Sequence, residues 1–162
     1  MQEIQEFYIN LLPALEDNIF LQLLSIFVLS FIPFFESYGA IPFGLLLGFP
    51  SIPVIIVAIA GNWVSVMAFI WIINALRTKV IKGKKKEKEP SKRMLKAKKY
   101  FDKYGVPGVS LAGIVWGFHI SAAIALAAGS NKGNVSLWNT IAIIVWALAI
   151  GILLMSGISF LA

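Results

Sequence analysis

The chain contains no cysteine. This absence excludes disulfide bonds, zinc–thiolate sites and thiol chemistry, although it does not indicate a compartment. Charge is also scarce, because 14% of the residues are charged compared with about a quarter in soluble domains. The first 76 residues include no lysine or arginine, so the basic start of a secretory signal peptide is missing. We therefore expect the apolar segments themselves to direct membrane insertion.

Long apolar segments without charge make up most of the sequence. Four runs carry no charged side chain: 18–35, 37–76, 104–131 and 133–162. An apolar run longer than about 18 residues is typical of a membrane-spanning helix. Helices of a soluble protein would need polar faces, which these runs lack. We predict an all-α integral membrane protein that crosses the membrane more than once.

The basic residues are concentrated in one central stretch. Thirteen of the fourteen Lys and Arg residues lie between Arg77 and Lys103 with three acidic residues, a net charge of +10. Cytoplasmic loops of membrane proteins are enriched in basic residues. We therefore expect 77–105 to be a cytoplasmic linker of an inner-membrane protein, with 77–103 contacting anionic lipids of the inner leaflet. Nucleic-acid binding is not predicted, because the stretch lies between apolar segments.

The N-terminal segment has the opposite charge. Residues 1–17 place apolar side chains at i, i+3 and i+4 spacing, with an acidic polar face. This pattern predicts an interfacial amphipathic helix. Anionic lipids on the cytoplasmic side would repel the acidic face, so we expect this helix on the external side.

The apolar blocks divide into two halves, 18–76 and 106–162. As one helix, 18–49 would be about 48 Å long, which exceeds the hydrocarbon thickness of about 30 Å. Prolines and glycines interrupt it, so we predict a re-entrant hairpin at 18–49 followed by a full span at 52–76. The second half repeats this layout, which is typical of inverted-repeat transporters. A tilted, proline-kinked span is the alternative for 18–49.

Glu36 is a single charged residue between the uncharged runs 18–35 and 37–76. A carboxylate in the hydrocarbon core costs roughly 2.5–3.5 kcal/mol, so it normally faces a partner or a cavity. We expect a half-helix to end near Ser37, where its dipole and burial disfavour ionisation. Pro42 would begin the next half-helix, whose free N–H groups would favour an anion beside Glu36. We hypothesise a proton- or cation-coupling role; the alternative is that Glu36 extends to the membrane interface.

His119 is the second candidate for chemistry, since it is the sole histidine and Trp116 and Ser121 flank it. Two interpretations are open: a hydrogen-bonded core residue, or a proton acceptor that pairs with Glu36 across a pseudo-twofold axis. Asn62 is expected to donate or accept hydrogen bonds at a neighbouring helix or the broken backbone. One histidine and one carboxylate are too few for a metal site, so no metal or cofactor is predicted.

The motif around Glu36 resembles that of the small multidrug export proteins, which belong to the wider DedA/VTT-like group. The resemblance is carried by Glu36, Gly39, Ala40, Ile41, Pro42 and Gly44, and more weakly by Gly61 and Asn62. It implies two re-entrant-hairpin halves, with the first re-entrant motif at Ser37, Tyr38, Gly39, Ala40, Ile41, Pro42 and Gly44. The stretch 113–121 departs from the family, because it lacks a proline-rich tip and the spans contain no arginine.

The predicted function is that of a small secondary transporter or lipid translocase, which moves an amphipathic small molecule or lipid with proton coupling through Glu36. A protomer of this size has little room for an enclosed path, so we expect a homodimer. The alternative is a non-transporting membrane scaffold or a scramblase-like protein. An intramembrane enzyme is not expected, because the spans lack a second acid, a nucleophile–base pair or a metal set.

Overall fold

The structure, a computed structural model, describes residues 18–80 and 92–161. The amphipathic helix predicted for 1–17 and the central part of the basic linker lie outside these residues. Within them the chain is all-helical, as predicted, and contains no strand. The seven helices are α1 (Ile19–Phe31), α2 (Glu36–Leu46), α3 (Ser51–Val80), α4 (Lys92–Leu111), α5 (Gly113–Trp116), α6 (Phe118–Ala127) and α7 (Lys132–Leu161).

Two helices, α3 and α7, are long and apolar enough to cross a membrane. Their apolar segments, Ser51–Leu76 and Lys132–Gly157, contain 26 residues each, about 39 Å at 1.5 Å per residue. Large apolar side chains cover their outer faces, and Trp71 and Leu153 are 65% and 72% exposed. Such surfaces are unfavourable in water and favourable in lipid. The chain is a membrane protein.

Helices α3 and α7 pack antiparallel. Near the start of α3, a Cβ atom on Gly151 would lie 2.4 Å from Ile55 Cδ1, so the two helices approach closely there. Further along α3, Trp63 Nε1 donates to Thr140 Oγ1 at 2.9 Å. The later residue of α3 therefore contacts the earlier residue of α7, so the two helices run antiparallel.

The first half begins with a helical hairpin. Asn18 caps α1, and its Oδ1 accepts from the backbone N–H groups of the first turn. After α1 the chain turns within four residues, and α2 folds back so that Gly44 lies against Ile26. The hairpin packs along α3, where a Cβ atom on Gly61 would meet Ser30 Oγ at 2.1 Å. Only glycine therefore allows this close contact between α1 and α3.

The position predicted for the first break was wrong by several residues. Helix α1 ends at Phe31 rather than near Ser37, so Glu36 lies at the start of α2 and not at the negative end of α1. The chain turns here because Phe34 and Glu36 adopt left-handed backbone, with φ of 71° and 48°. Pro42 does not begin a helix but lies inside α2, which loses one intrahelical hydrogen bond at that position.

The second half is also broken, although it contains no proline between 108 and 131. Helix α4 changes direction at Gly105, where φ is 64° and ψ is −162°. Helix α5 is four residues long and ends at Gly117, whose φ of 96° redirects the chain into α6. A glycine in left-handed conformation thus does what proline does in other broken helices.

The core consists of two clusters of buried side chains. The first joins the α1–α2 hairpin to the start of α3 and to α7, and it includes Ile26, Ile41 and Val54. The second joins α6 to the remainder of α3 and α7, and it includes Phe118 and Ile143. Each half of the chain therefore contributes its short helices to one cluster, and the two long helices are common to both.

Candidate functional site

Glu36 and His119 form a direct, buried pair. His119 Nδ1 lies 2.7 Å from Glu36 Oε1, and the two side chains are 8% and 0% exposed. The residues are 83 positions apart and come from the breaks of different halves. The structure thus brings together Glu36 and His119, the carboxylate and the imidazole that the sequence places in different apolar segments.

Backbone N–H groups complete the environment of the carboxylate. The Phe118 N–H donates to both carboxylate oxygens at 3.0 Å, and the His119 N–H donates to Oε1 at 3.4 Å. These groups belong to the first turn of α6, where N–H groups lack partners within the helix and favour an anion. The prediction of free N–H groups after Pro42 was wrong, because Pro42 lies inside α2; the N–H groups at Glu36 come instead from the start of α6, after Gly117.

Gly117 permits the turn that brings the start of α6 to the carboxylate. Its φ of 96° is unfavourable for residues with a side chain. A Cβ atom at this position would lie 3.4 Å from Glu36 Oε1, an ordinary van der Waals contact, so the backbone conformation and not a lack of space is what requires glycine. Glycine therefore allows the turn into α6, which in turn places the N–H groups of α6 at Glu36.

Ser65 of α3 contacts His119 on the side of the imidazole ring that faces away from Glu36. Its Oγ lies 2.9 Å from His119 Nε2 and donates to the Phe31 carbonyl at 2.7 Å. The Phe69 ring meets the imidazole edge-on, with the centroids 5.3 Å apart. Ser65 was not predicted; its one signal in the sequence is a polar residue one turn after Asn62 in an uncharged span.

Asn62 lies beside the first break, as part of the same polar region. Its Nδ2 donates to Ser37 Oγ at 3.0 Å. Its Oδ1 is buried and has no hydrogen-bond partner among the described residues. Tyr38 donates its hydroxyl to the Phe34 carbonyl at 2.8 Å, and its ring contacts Phe118 with the centroids 6.5 Å apart.

The remaining residues of the predicted re-entrant motif are packing residues. Ala40 and Ile41 are fully buried in the first core cluster. Gly39 lies against the Phe35 ring, which a Cβ atom would approach to 3.2 Å. Together with Gly44 against Ile26, these contacts hold α2 in place and so position Glu36 at its start.

A second polar group surrounds Ser121. Its Oγ lies 2.8 Å from both Phe118 O and Asn139 Oδ1. Asn139 Nδ2 donates to Ser110 Oγ at 3.2 Å and to the Val135 carbonyl at 2.9 Å. Asn139 and Ser110 were not predicted, because single polar residues in apolar helices give no indication of their partners.

The comparison with family models decides the identity. Residues 36–150 match the family described as "Putative small multi-drug export protein". The chain belongs to this family. The matched region begins at Glu36 and includes His119, so both members of the buried pair lie within it. No curated protein and no solved structure matches the chain.

The metal-binding capacity of this small multi-drug export family member is low in the part that the structure describes. No group of three or more His, Cys, Asp or Glu side chains lies together there. Trp116, at the end of α5, has a partly exposed side chain. The site is therefore an acid–imidazole pair with backbone and hydroxyl partners.

A groove lies apart from the pair, between α3 and the start of α7. It has a volume of about 640 Å³, and its lining includes Trp63, Met67, Trp71 and Lys132. Lys132 Nζ lies 4.7 Å from the Trp71 ring centroid, a cation–π contact. Neither Glu36 nor His119 lines this groove. The pair is enclosed, so a substrate could reach it only after the helices move.

Proposed function

We propose that this family member is a secondary transporter, which moves an amphipathic substrate across the cytoplasmic membrane in exchange for protons bound at the Glu36–His119 pair. The observation that carries the proposal is the direct contact of a buried carboxylate with a buried imidazole at two helix breaks. Titratable groups inside a membrane are costly and mark proton or ion pathways. Broken helices in transporters surround the binding site. We infer a transport role rather than an enzymatic one.

The depth of the pair supports this role. Ser65, which contacts His119, lies near the middle of the apolar segment Ser51–Leu76. If α3 crosses the membrane, the tips of both broken segments reach the bilayer midplane. We therefore infer that α1 and α2 form a re-entrant hairpin, since α2 folds back before α3 begins.

A similar polar contact in each half supports two inverted halves. In the first, Ser37 of a short helix bonds to Asn62 of a long helix. In the second, Ser121 of a short helix bonds to Asn139 of a long helix. We infer from this correspondence that the halves are related by an inverted repeat, which is consistent with the wider DedA/VTT-like group.

The groove beside Lys132 supports an amphipathic substrate. Its apolar walls and single cation suit a molecule with an apolar body and a polar end. We propose that substrates enter laterally here, on the cytoplasmic side defined by the basic linker. We further propose that two protomers associate and that the linker contacts anionic lipids.

Transport by reconstituted protein tests the coupling role. We expect Glu36→Gln to insert and fold but to abolish uptake driven by a pH gradient, because an amide cannot exchange a proton with His119. The probes are a fluorescent amphipathic cation and a fluorescent phospholipid in proteoliposomes. Asp102→Asn is the matched control, since it makes the same change outside the long helices and should retain uptake. Undiminished gradient-driven uptake in Glu36→Gln would refute proton coupling.

The same assay separates the other functions. Flux that needs no gradient would indicate a scramblase, and absence of flux for every probe would indicate a scaffold. Single cysteines at Glu3 and Lys132 test the topology, because the native chain has no cysteine. We expect position 3 to be labelled from outside and position 132 from the cytoplasm. Cytoplasmic labelling of position 3 would contradict the re-entrant first half.

A further inference from the structure

We propose that Ser65 is a positioning residue that links proton release from the Glu36–His119 pair to the contact between the end of α1 and helix α3. The inference rests on the proposed function only in treating the pair as the group that gains and loses a proton. It is carried by the hydrogen-bond geometry around the imidazole, in which the bond from Ser65 to the Phe31 carbonyl assigns the hydrogen atom between Ser65 and His119 Nε2.

The hydroxyl of Ser65 determines where the imidazole protons lie. A serine has one hydroxyl hydrogen, and Ser65 donates it to the Phe31 carbonyl at 2.7 Å. His119 Nε2, 2.9 Å from Ser65 Oγ, must therefore carry a proton and donate it to that oxygen. On the other side, one proton lies between His119 Nδ1 and Glu36 Oε1. Whichever of these two atoms holds it, the pair has no net charge.

Proton release reverses the direction of the Ser65 hydroxyl. We assign the departing proton to Nε2, from which it passes to water, and the net charge of the pair changes from zero to −1. The proton between Nδ1 and Glu36 Oε1 stays in the pair, because its loss would leave two lone pairs facing each other across 2.7 Å. It then resides on Nδ1, which keeps the imidazole neutral. Nε2 then presents a lone pair to Ser65 Oγ, so the hydroxyl must turn from the Phe31 carbonyl to Nε2.

The Phe31 carbonyl loses a hydrogen bond in this step. Phe31 is the last residue of α1, and the last carbonyls of a helix have no partner within it. Ser65 supplies a partner and thereby connects the hairpin tip to α3. Proton release removes that hydrogen bond and so weakens the contact between the end of α1 and helix α3, while the Asn62–Ser37 hydrogen bond and the packing of Gly61 against α1 remain.

The other titratable side chains that the structure describes do not bond to Glu36, His119 or Ser65. Tyr38 of α2 donates its hydroxyl to the Phe34 carbonyl. Among the side chains that the structure describes, the other charged groups form no ion pair with Glu36 or His119. These groups are carried by α4 and α7, and they are Lys99, Asp102, Lys103 and Lys132.

Nuclear magnetic resonance of the full chain in lipid vesicles tests the proposal without measuring transport. Because the chain has one histidine, ¹³C,¹⁵N-histidine labelling reports on His119 alone. Labelling of phenylalanine carbonyls with ¹³C and of isoleucine with ¹⁵N selects two Phe–Ile pairs, Phe31–Ile32 and Phe69–Ile70. The Phe69 carbonyl lies within α3 and serves as the internal reference.

We expect the imidazole to convert from its Nε2-protonated form to the Nδ1–H tautomer as pH rises, and the Phe31 carbonyl signal to shift with the same midpoint. Ser65→Ala should abolish the pH-dependent shift of Phe31, and Ser65→Thr should retain it. Ser30→Ala should also retain it, since that buried hydroxyl bonds within α1. A Phe31 signal that stays constant while His119 titrates, or that still follows it in Ser65→Ala, would overturn the proposal. Either result leaves the transport assay unaffected.

Discussion

The two broken segments of the chain turn by different means. In the first half, Phe34 and Glu36 adopt left-handed backbone with φ of 71° and 48°, although such values favour glycine. In the second half, Gly117 makes the turn at a φ of 96°. The first break presents a side-chain carboxylate, and the second presents backbone N–H groups and an imidazole.

This difference makes the two halves depend on each other. Left-handed backbone costs about 1–2 kcal/mol at a residue with a side chain. The backbone N–H groups of Phe118 and His119 donate to Glu36 and offset that cost, because each intramolecular hydrogen bond contributes about 0.5–1.5 kcal/mol. Strain in one half is therefore maintained by contacts from the other, as is common at functional sites.

The largest effect is expected from removing one member of the pair. His119→Leu should lower the free energy of unfolding by about 3–5 kcal/mol, because it leaves a buried carboxyl group without its imidazole partner. The double variant Glu36→Leu/His119→Leu should recover more than half of that loss. Unfolding in mixed detergent micelles measures both values. Strictly additive effects of Glu36→Leu and His119→Leu would show that the two breaks are not energetically coupled.

The asparagines provide a second comparison between the halves. Asn139 has three hydrogen-bond partners, so Asn139→Ala should cost about 2–3 kcal/mol at roughly 1 kcal/mol per bond. Asn62 has one bond and one unpartnered buried oxygen, so Asn62→Ala should cost about 1 kcal/mol or less. The same unfolding assay compares them. A larger loss for Asn62→Ala would indicate that its oxygen has a partner in the membrane.

The glycine of the second break gives the third prediction. Gly117→Ala should destabilise the protein by about 2 kcal/mol, because alanine is strained at its positive φ. Gly157→Ala is the control, since a Cβ atom there meets nothing within 4 Å and alanine favours helix. The control should be neutral or slightly more stable in thermal unfolding. Equal losses in both variants would contradict a special role for Gly117.

The smallest effect concerns the strain of the first break. Phe34→Gly should raise the free energy of unfolding by up to about 1 kcal/mol, because relief of about 1–2 kcal/mol of strain exceeds the entropic cost of glycine. Phe43→Gly is the matched control within α2, and it should lose stability. Phe34 is 70% exposed, so little packing is lost. A destabilised Phe34→Gly protein would show that the aromatic ring has a partner outside the protomer.

The elements of the fold could be predicted because their signals are local. Uncharged runs predict the long helices α3 and α7, and the structure confirms two membrane-capable helices. The position of the first break was not predicted, because Pro42 and the nearby glycines indicate a break several residues too late. The left-handed backbone of Glu36 is accompanied by hydrogen bonds from Phe118 and His119 of the second half, and no local pattern reports such contacts.

The amino-acid sequence by itself determined the membrane class, the two long apolar helices and the choice of Glu36 and His119 as candidates, because charge and hydropathy act residue by residue. The tertiary structure alone decided that these two side chains touch across 83 positions. It also decided that backbone N–H groups after Gly117 bind the carboxylate and that Ser65 contacts the imidazole. Nearly every residue has a backbone N–H donor, so the sequence does not show which donors form a binding site. Tertiary packing decides this by placing several of them within hydrogen-bond distance of one group.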